Sequence, residues 1–193
     1  ILTVLFNRQI MKYLDSDALA VYATVINIST FVQCCAYSVG QAAQPILSTN
    51  YGANNAARIR QALHLALGTS MVFAAFWTGL SELFPQLYIH IFMRPSAEIL
   101  AIAPAIIRRY SVSFVLLPVN IFSTSYSQSI LRPKDSFIVS IARGLLVSGL
   151  LIFALPALFA PEAIWWAMPL TELVTGVYAA YAMRKSLTGL CAN

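Results

Sequence analysis

The stretch FIVSIARGLLVSGLLIFALPALF, residues 137–159, decides the fold class of this chain. Its 23 residues include one charged side chain, Arg143. A helix needs about 20 predominantly apolar residues to cross the hydrocarbon core of a bilayer, and this stretch meets that requirement. It therefore predicts a transmembrane helix.

The composition of the whole chain is also that of a membrane protein. Of the 193 residues, 59% are hydrophobic and 10% are charged, and the mean hydropathy is +0.74. Soluble domains carry about 25% charged residues, which keep their surface polar. The composition argues against a soluble enzyme or a nucleic-acid-binding module, and it makes the lipid bilayer the expected surroundings of the chain.

Apolar runs elsewhere predict further spans, separated by polar or proline-containing breaks. The first run, which ends at Leu14, is too short to cross and is interpreted as the end of a sixth helix. Asp17 is expected to cap the next helix, and Gly52 is expected to end it. The run from Ser96 to Leu131 exceeds one span, so its first third is expected to lie in the interface. We predict an all-α integral membrane fold with five full spans, at about 18–48, 58–83, 110–131, 137–159 and 163–183.

Basic residues indicate the orientation of these spans. They fall in three segments that alternate along the chain and therefore share one face of the membrane: Arg58 with Arg60, Arg132 with Lys134, and Arg184 with Lys185. Lysine and arginine concentrate in cytoplasmic loops. We therefore expect a multi-pass protein of the cytoplasmic (inner) membrane whose C-terminus is cytoplasmic.

Two stripes of polar side chains lie inside the predicted spans. The first consists of Gln33, Tyr37, Gln41 and Gln44, and the second of Ser113, Asn120, Thr124, Ser127 and Gln128. Inside a bilayer such groups must face protein, water or cargo. Each alone could form a hydrogen bond between helices, but two stripes together favour a water-filled cavity. We predict a substrate cavity lined by Gln41, Gln44, Asn120, Thr124 and Gln128, with Phe114, Phe122 and Tyr126 as apolar contacts for cargo.

Glu172 is the one carboxylate predicted near the middle of a span. Two roles remain open for it: a buried partner of Arg143 that ties the last two helices together, or a protonatable, cation-binding group that couples transport to an ion. We expect the structural role.

The sequence carries no signature of an enzyme or of a metal site. It lacks the common hydrolase, phosphate-binding and metalloprotease motifs. Cys34, Cys35 and Cys191 have no metal-ligand spacing, and we expect them to be small buried side chains. No cofactor other than a coupling ion is expected.

One segment resembles a known transporter family. It is GQAAQPILSTNYGANN, from Gly40 to Asn55, followed by Arg58. A glutamine–proline helix end, then Asn-Tyr-Gly-Ala, then a short basic segment is similar to the MATE (multidrug and toxic compound extrusion) transporters, above all to their bacterial multidrug branch. Arg143-Gly144 and the later Trp165, Pro169 and Glu172 resemble features of the same family. By this resemblance Pro45, Asn50, Tyr51, Gly52 and Ala53 form a structural turn.

The resemblance implies half of a twelve-helix, two-lobe transporter, from the end of the seventh helix to the twelfth. The chain begins inside an apolar run, so we expect an N-terminal lobe of the same polypeptide to be its partner. The implied function is secondary antiport, which exports cationic or amphiphilic drugs in exchange for Na⁺ or H⁺.

Two alternative functions remain open at this point. A lipid-linked oligosaccharide flippase of the same superfamily should have a more basic cavity. A non-transporting membrane scaffold should have no water-accessible cavity.

Overall fold

The computed structural model of the protein describes residues 2–190, and the elements in that range are helices. Residues 1 and 191–193, including Cys191, lie outside the described residues. The α-helices, in chain order, are α1 (Leu2–Tyr13), α2 (Ser16–Gly52), α3 (Ala56–Leu83), α4 (Pro85–Phe92), α5 (Ala97–Ser111), α6 (Leu117–Ser129), α7 (Pro133–Ile141), α8 (Val147–Leu158) and α9 (Ala167–Leu190). A 3₁₀ turn, Val112–Val115, joins α5 to α6, a π-helical turn, Ala142–Leu146, joins α7 to α8, and a 3₁₀ helix, Pro161–Trp166, precedes α9.

Four segments of the described chain are long and apolar enough to cross a membrane: Ser16–Gly52, Ala56–Leu83, Ala97–Ser129 and Pro133–Leu158. They correspond to the first four predicted spans. The fifth predicted span, 163–183, does not qualify, although α9 has 24 residues. Its low hydrophobicity has a structural reason, because the polar side chains of Thr171, Glu172 and Thr175 are buried against the rest of the protein.

Helix α2 begins two residues earlier than predicted because Asp15, not Asp17, is its N-cap. The Asp15 Oδ1 atom accepts a hydrogen bond from the Ala18 N–H at 2.8 Å, which satisfies one of the free donors of the first turn. Asp17 lies inside that turn, where its negative charge is favoured by the helix dipole.

The end of α2 also differs from the expectation. Asn54, with φ of 53°, is the left-handed residue, whereas Gly52 is still helical. The Asn55 N–H donates to the Asn50 carbonyl at 2.9 Å and the Asn54 N–H to the Tyr51 carbonyl at 3.1 Å. These bonds form a Schellman motif, in which asparagine tolerates the left-handed conformation. The expected motif turn therefore comes later: Pro45, Asn50, Tyr51 and Gly52 belong to α2, and Ala53 is its C-cap.

The 3₁₀ turn at Val112–Val115 divides the long run between Ser96 and Leu131. Pro118 lacks the N–H that would bond to the carbonyl four residues before it, so the regular hydrogen-bond ladder is interrupted at this point. On the N-terminal side of the turn, Arg108 Nε donates to the Glu82 carbonyl at 3.0 Å, and Arg109 Nη1 pairs with Glu162 Oε2 at 2.5 Å. The charged end of α5 thus contacts the last turn of α3 and the 3₁₀ helix that precedes α9.

Two hydrophobic clusters hold the helices together. One joins the end of α2, the start of α3, the end of α6 and the C-terminal half of α9, through Leu47, Ile59, Ile130 and Met183. The three basic segments lie next to these helix ends, so they share one end of the helix bundle. The other cluster contains stacked Phe6 and Tyr22, with ring centroids 4.8 Å apart, and the buried Trp165.

Helices α2 and α6 cross at Gly40. A β-carbon added to Gly40 would lie 2.5 Å from Ser125 Oγ and 3.1 Å from Ser125 Cβ. A larger residue at this position therefore requires the Ser125 hydroxyl to move and its Cβ to shift by a few tenths of an ångström. The backbone of Gly40 is helical, so this position does not need glycine for an unusual backbone conformation. It needs glycine because the two helices approach closely here.

Gly40→Ala is expected to lower the thermal stability of the full-length protein, although alanine is the better helix former. The added methyl group overpacks the crossing, and overpacking costs about 1–3 kcal/mol. The apparent Tm of the purified protein in detergent measures the loss.

Gly68→Ala is the matched control, because a β-carbon there meets nothing within 4 Å. Alanine is favoured over glycine in helices by about 1 kcal/mol, so this variant should keep or raise the Tm. Ser125→Ala should partly restore the Tm of the Gly40→Ala protein. Equal Tm values for the two alanine variants would contradict a tight crossing.

Candidate functional site

One face of α2 is polar and exposed on the surface of the protein. We call it the polar stripe; its members recur at alternating intervals of three and four residues and are Asn27, Thr30, Cys34, Tyr37, Gln41, Gln44 and Ser48. This spacing places them along one side of the helix. The stripe includes Gln41 and Gln44, two of the five predicted cavity residues.

The sequence interpretation found only the middle of this stripe. The same three–four spacing continues upstream to Asn27 and downstream to Ser48, and it was the signal available for finding the remaining members. Gln33, which we expected on this face, is half-buried, and its Nε2 atom donates to Ser29 Oγ at 3.4 Å.

The polar stripe lies on a helix that qualifies as a membrane span. The side-chain amides of Gln41 and Gln44 have no hydrogen-bond partner within residues 2–190. In contact with acyl chains such groups would lose their hydrogen bonds to water without replacement, at a cost of several kcal/mol each. The stripe is therefore suited to face water or another part of the protein.

The second predicted stripe, on α6, lies mostly inside the lobe. We expected Asn120 to line an open cavity, but it is fully buried. Thr124 is half-buried and donates to a carbonyl of its own helix at 2.7 Å. Gln128 is exposed, and its Nε2 donates to Ser136 Oγ on α7 at 3.0 Å. The structure does not bring these three residues together with Gln41 and Gln44 on one exposed face.

The aromatic residues expected to contact cargo are part of the packed interior. Phe114, Phe122 and Tyr126 each have at most 1% of their surface exposed. The Tyr126 hydroxyl forms a hydrogen bond with Ser186 Oγ on α9 at 2.9 Å. Their large apolar surfaces are used between helices, which corrects the prediction.

A buried polar network, the Glu172 cluster, joins Glu172 and Thr175 on α9, Asn120 on α6 and Arg143 in the π-helical turn. Arg143 Nε donates to Glu172 Oε1 at 2.6 Å, and Asn120 Nδ2 donates to Glu172 Oε2 at 2.6 Å. Asn120 Nδ2 also lies 2.9 Å from the Glu172 carbonyl and 3.1 Å from Thr175 Oγ1. Both carboxylate oxygens thus have a partner, and the predicted pairing of Glu172 with Arg143 is present.

Local backbone features make room for this cluster. Arg143 lies in the π-helical turn, where the wider winding changes the direction of its side chain relative to a regular helix. A β-carbon at Gly176 would lie 3.2 Å from Asn120 Oδ1, a tight contact that the absence of a side chain avoids, so glycine favours the close approach of the amide to α9. Glu172 is fully buried, and the Arg143 side chain is 18% exposed.

A cavity of about 160 Å³ lies beside Arg143. The lining residues that carry polar groups are Thr3, Tyr22, Ser29, Gln33, Tyr110 and Arg143. Its volume corresponds to about five water molecules at 30 Å³ each. The lining of this cavity includes no carboxylate, and the nearby Glu172 is already paired with Arg143, so the cavity offers no free negative charge to a cation.

No group of three or more His, Cys, Asp and Glu side chains within residues 2–190 could hold a metal ion. Cys34 is exposed and Cys35 is partly exposed, so these two are not the buried side chains we expected. Cys191 falls outside the described residues.

Comparison with known proteins identifies the family. The family model described as MatE matches residues 1–153, which is most of the chain. The chain belongs to the MATE family of transporters. Family members are transporters and not enzymes.

Solved MATE structures share this fold. One is the outward-facing conformation of a multidrug resistance MATE family transporter of the MOP superfamily, with a TM-score of 0.90 at 16% identity. Another is a MATE protein in the straight conformation, with a TM-score of 0.90 at 15% identity, and a third is a MATE protein in complex with MaD3S, at 0.86 and 17%. Each match covers 100% of this chain and 43% of the other. No curated protein matches the chain.

Asn120→Leu is expected to destabilise the protein, because it removes the donor to Glu172 Oε2 while keeping a side chain of similar size. Hydrogen bonds to charged groups contribute about 1.5–3 kcal/mol, so the apparent Tm should fall by several degrees. Thr124→Val, one turn later, is the control and should have a smaller effect, since its hydroxyl bonds only within α6. Equal Tm losses in the two variants would exclude a special role for the Asn120 amide.

Proposed function

We propose that this chain is the C-terminal lobe of a secondary antiporter that exports cationic or amphiphilic compounds across the cytoplasmic membrane in exchange for Na⁺ or H⁺. The observation that carries the proposal is the polar stripe. A continuous row of exposed polar groups on a spanning helix is suited to one wall of a water-filled cavity, whose other wall would come from the N-terminal lobe. The chain covers 43% of the length of the solved MATE structures, which leaves room for such a lobe.

The chemistry of the polar stripe favours varied, weakly held cargo. Its seven members are uncharged, and they offer amide, hydroxyl and thiol groups together with the Tyr37 ring. Neutral hydrogen bonds and an aromatic face can hold a cation or an amphiphile without a fixed counter-charge. A flippase for anionic lipid-linked sugars would be better served by a basic stripe, so drug export is the preferred proposal.

Glu172 is assigned a structural role in this proposal. Its carboxylate is buried, is paired with Arg143 and accepts a hydrogen bond from Asn120. A coupling group must be able to exchange its ion with water, whereas this one already has a permanent positive partner. We place ion coupling outside the described residues, and we place the basic end of the lobe, with the C-terminus, on the cytoplasmic side.

The test uses Cys34 as a reporter on the polar stripe. In the full-length protein with all other cysteines replaced, a membrane-impermeant maleimide should label Cys34. The cationic dye ethidium should slow this labelling, because both reagents would occupy the same cavity. In the control variant the single cysteine is introduced by Val72→Cys, on the apolar outer face of α3, in place of Cys34. This variant should label poorly, and ethidium should not protect it.

Two results of this test would overturn the proposal. Absence of labelling at Cys34, in protein whose Tm matches that of the parent, would favour the scaffold alternative. Labelling that ethidium does not slow, but that an anionic lipid-linked sugar does slow, would favour the flippase.

A further inference from the structure

A groove of about 550 Å³ runs between α2 and α3, next to the polar stripe. Small residues on both helices form its floor: Ala42 and Ala43 on α2, and Ala62 and Ala66 on α3. Ile46 and Leu65 add apolar walls, and Arg58 and Gln61 lie where the groove meets the turn between the helices. The groove is thus mainly apolar, with the hydroxyl groups of Ser38 and Thr69 also in its lining, and it has a positive charge at one end.

Arg58 is available to a ligand. It is exposed, and its guanidinium group has no ion-pair or hydrogen-bond partner in the part of the chain that the structure describes. It lies in the first turn of α3, where the helix dipole also favours a negative group. A cationic cargo molecule is therefore an unsuitable occupant for this groove, whereas an anion with an apolar tail fits its charge.

The outer face of α3 continues the same pattern beyond the groove. Leu65, Val72 and Phe76 follow Arg58 on one side of the helix at helical spacing, and they are 67%, 68% and 57% exposed. Exposed apolar side chains on a spanning helix are suited to contact acyl chains. This face contrasts with the polar stripe, and it argues that the groove opens toward lipid and not toward the other lobe.

We propose that the groove between α2 and α3 binds an anionic phospholipid of the surrounding membrane. The phosphate group pairs with Arg58, and one acyl chain lies over Ala42, Ala62 and Ala66. Basic residues at a membrane surface attract anionic lipids, and small residues leave the space that a chain needs. The lipid would fill the groove between α2 and α3. It would thereby stabilise the packing of α2, the helix that carries the polar stripe.

The experiment measures lipid retained by the full-length transporter after reconstitution in nanodiscs of phosphatidylglycerol and phosphatidylethanolamine. After extraction, native mass spectrometry counts the phosphatidylglycerol bound per protein. Arg58→Gln should reduce this retention about fivefold, the factor that corresponds to about 1 kcal/mol per basic residue at an anionic surface. Ala62→Leu, which fills the groove, should reduce retention of both lipids.

Matched controls separate this site from general attraction to the basic end. Arg184→Gln removes an exposed charge at the same end but outside the groove, and Ala180→Leu adds the same bulk on the exposed face of α9. Arg184→Gln should lose less phosphatidylglycerol than Arg58→Gln, and Ala180→Leu should retain it like the parent. The Tm of every variant confirms folding.

Two outcomes would overturn the proposal. Retention by Arg58→Gln equal to that by Arg184→Gln would show that Arg58 does not hold the headgroup. Disulfide crosslinking of Ala62→Cys to a cysteine in the N-terminal lobe, or to a second copy of the protein, would identify a protein segment as the occupant.

Discussion

The buried contact between Arg143 and Glu172 is the interaction on which the rest of the structure depends. Either charge alone would be costly inside a membrane protein, and an unpaired buried charge costs about 3–5 kcal/mol. Together they form a pair at 2.6 Å, and Asn120 satisfies the second carboxylate oxygen. The pair joins α9 to the π-helical turn between α7 and α8, and the amide adds α6. Three separate parts of the chain are thus held in one arrangement.

This constraint divides the polar residues of the lobe into two sets. The inward set, on α6 and α9, includes the buried Asn120, Glu172 and Thr175, which bond to one another. The polar residues among them leave α9 too polar to be recognised as a span by composition. The outward set, the polar stripe of α2, has unused hydrogen-bonding groups at Gln41 and Gln44. The tight crossing at Gly40 links the two sets, because it fixes α2 against α6 close to the middle of the stripe.

The sequence predicted the fold class from the length of the apolar runs and the family from a local motif. It predicted the pairing of Glu172 because a single acid in an apolar span needs a partner. It placed Asn120 in the cavity because helical spacing identifies a polar face without saying what covers it. Only packing shows that α9, through Gly176, covers that face. It expected Gly52 to be the left-handed residue because glycine adopts that conformation most easily, yet the Schellman bonds fall at Asn54. The groove between α2 and α3 could not be predicted from the sequence. It depends on the relative position of two helices, and the spacing of residues along one helix does not specify that position.

A double-mutant cycle on Arg143 and Glu172 tests the central claim most directly. The thermal stability of the full-length transporter is measured for Arg143→Gln, Glu172→Gln and the double variant, together with the ion dependence of efflux. We predict that each single variant loses stability, that the double variant loses less than the two losses added together, and that ion dependence of efflux persists in Glu172→Gln. Additive losses of stability would show that the two charges do not depend on each other. A stable Glu172→Gln protein whose efflux no longer depends on the ion would make Glu172 the coupling site.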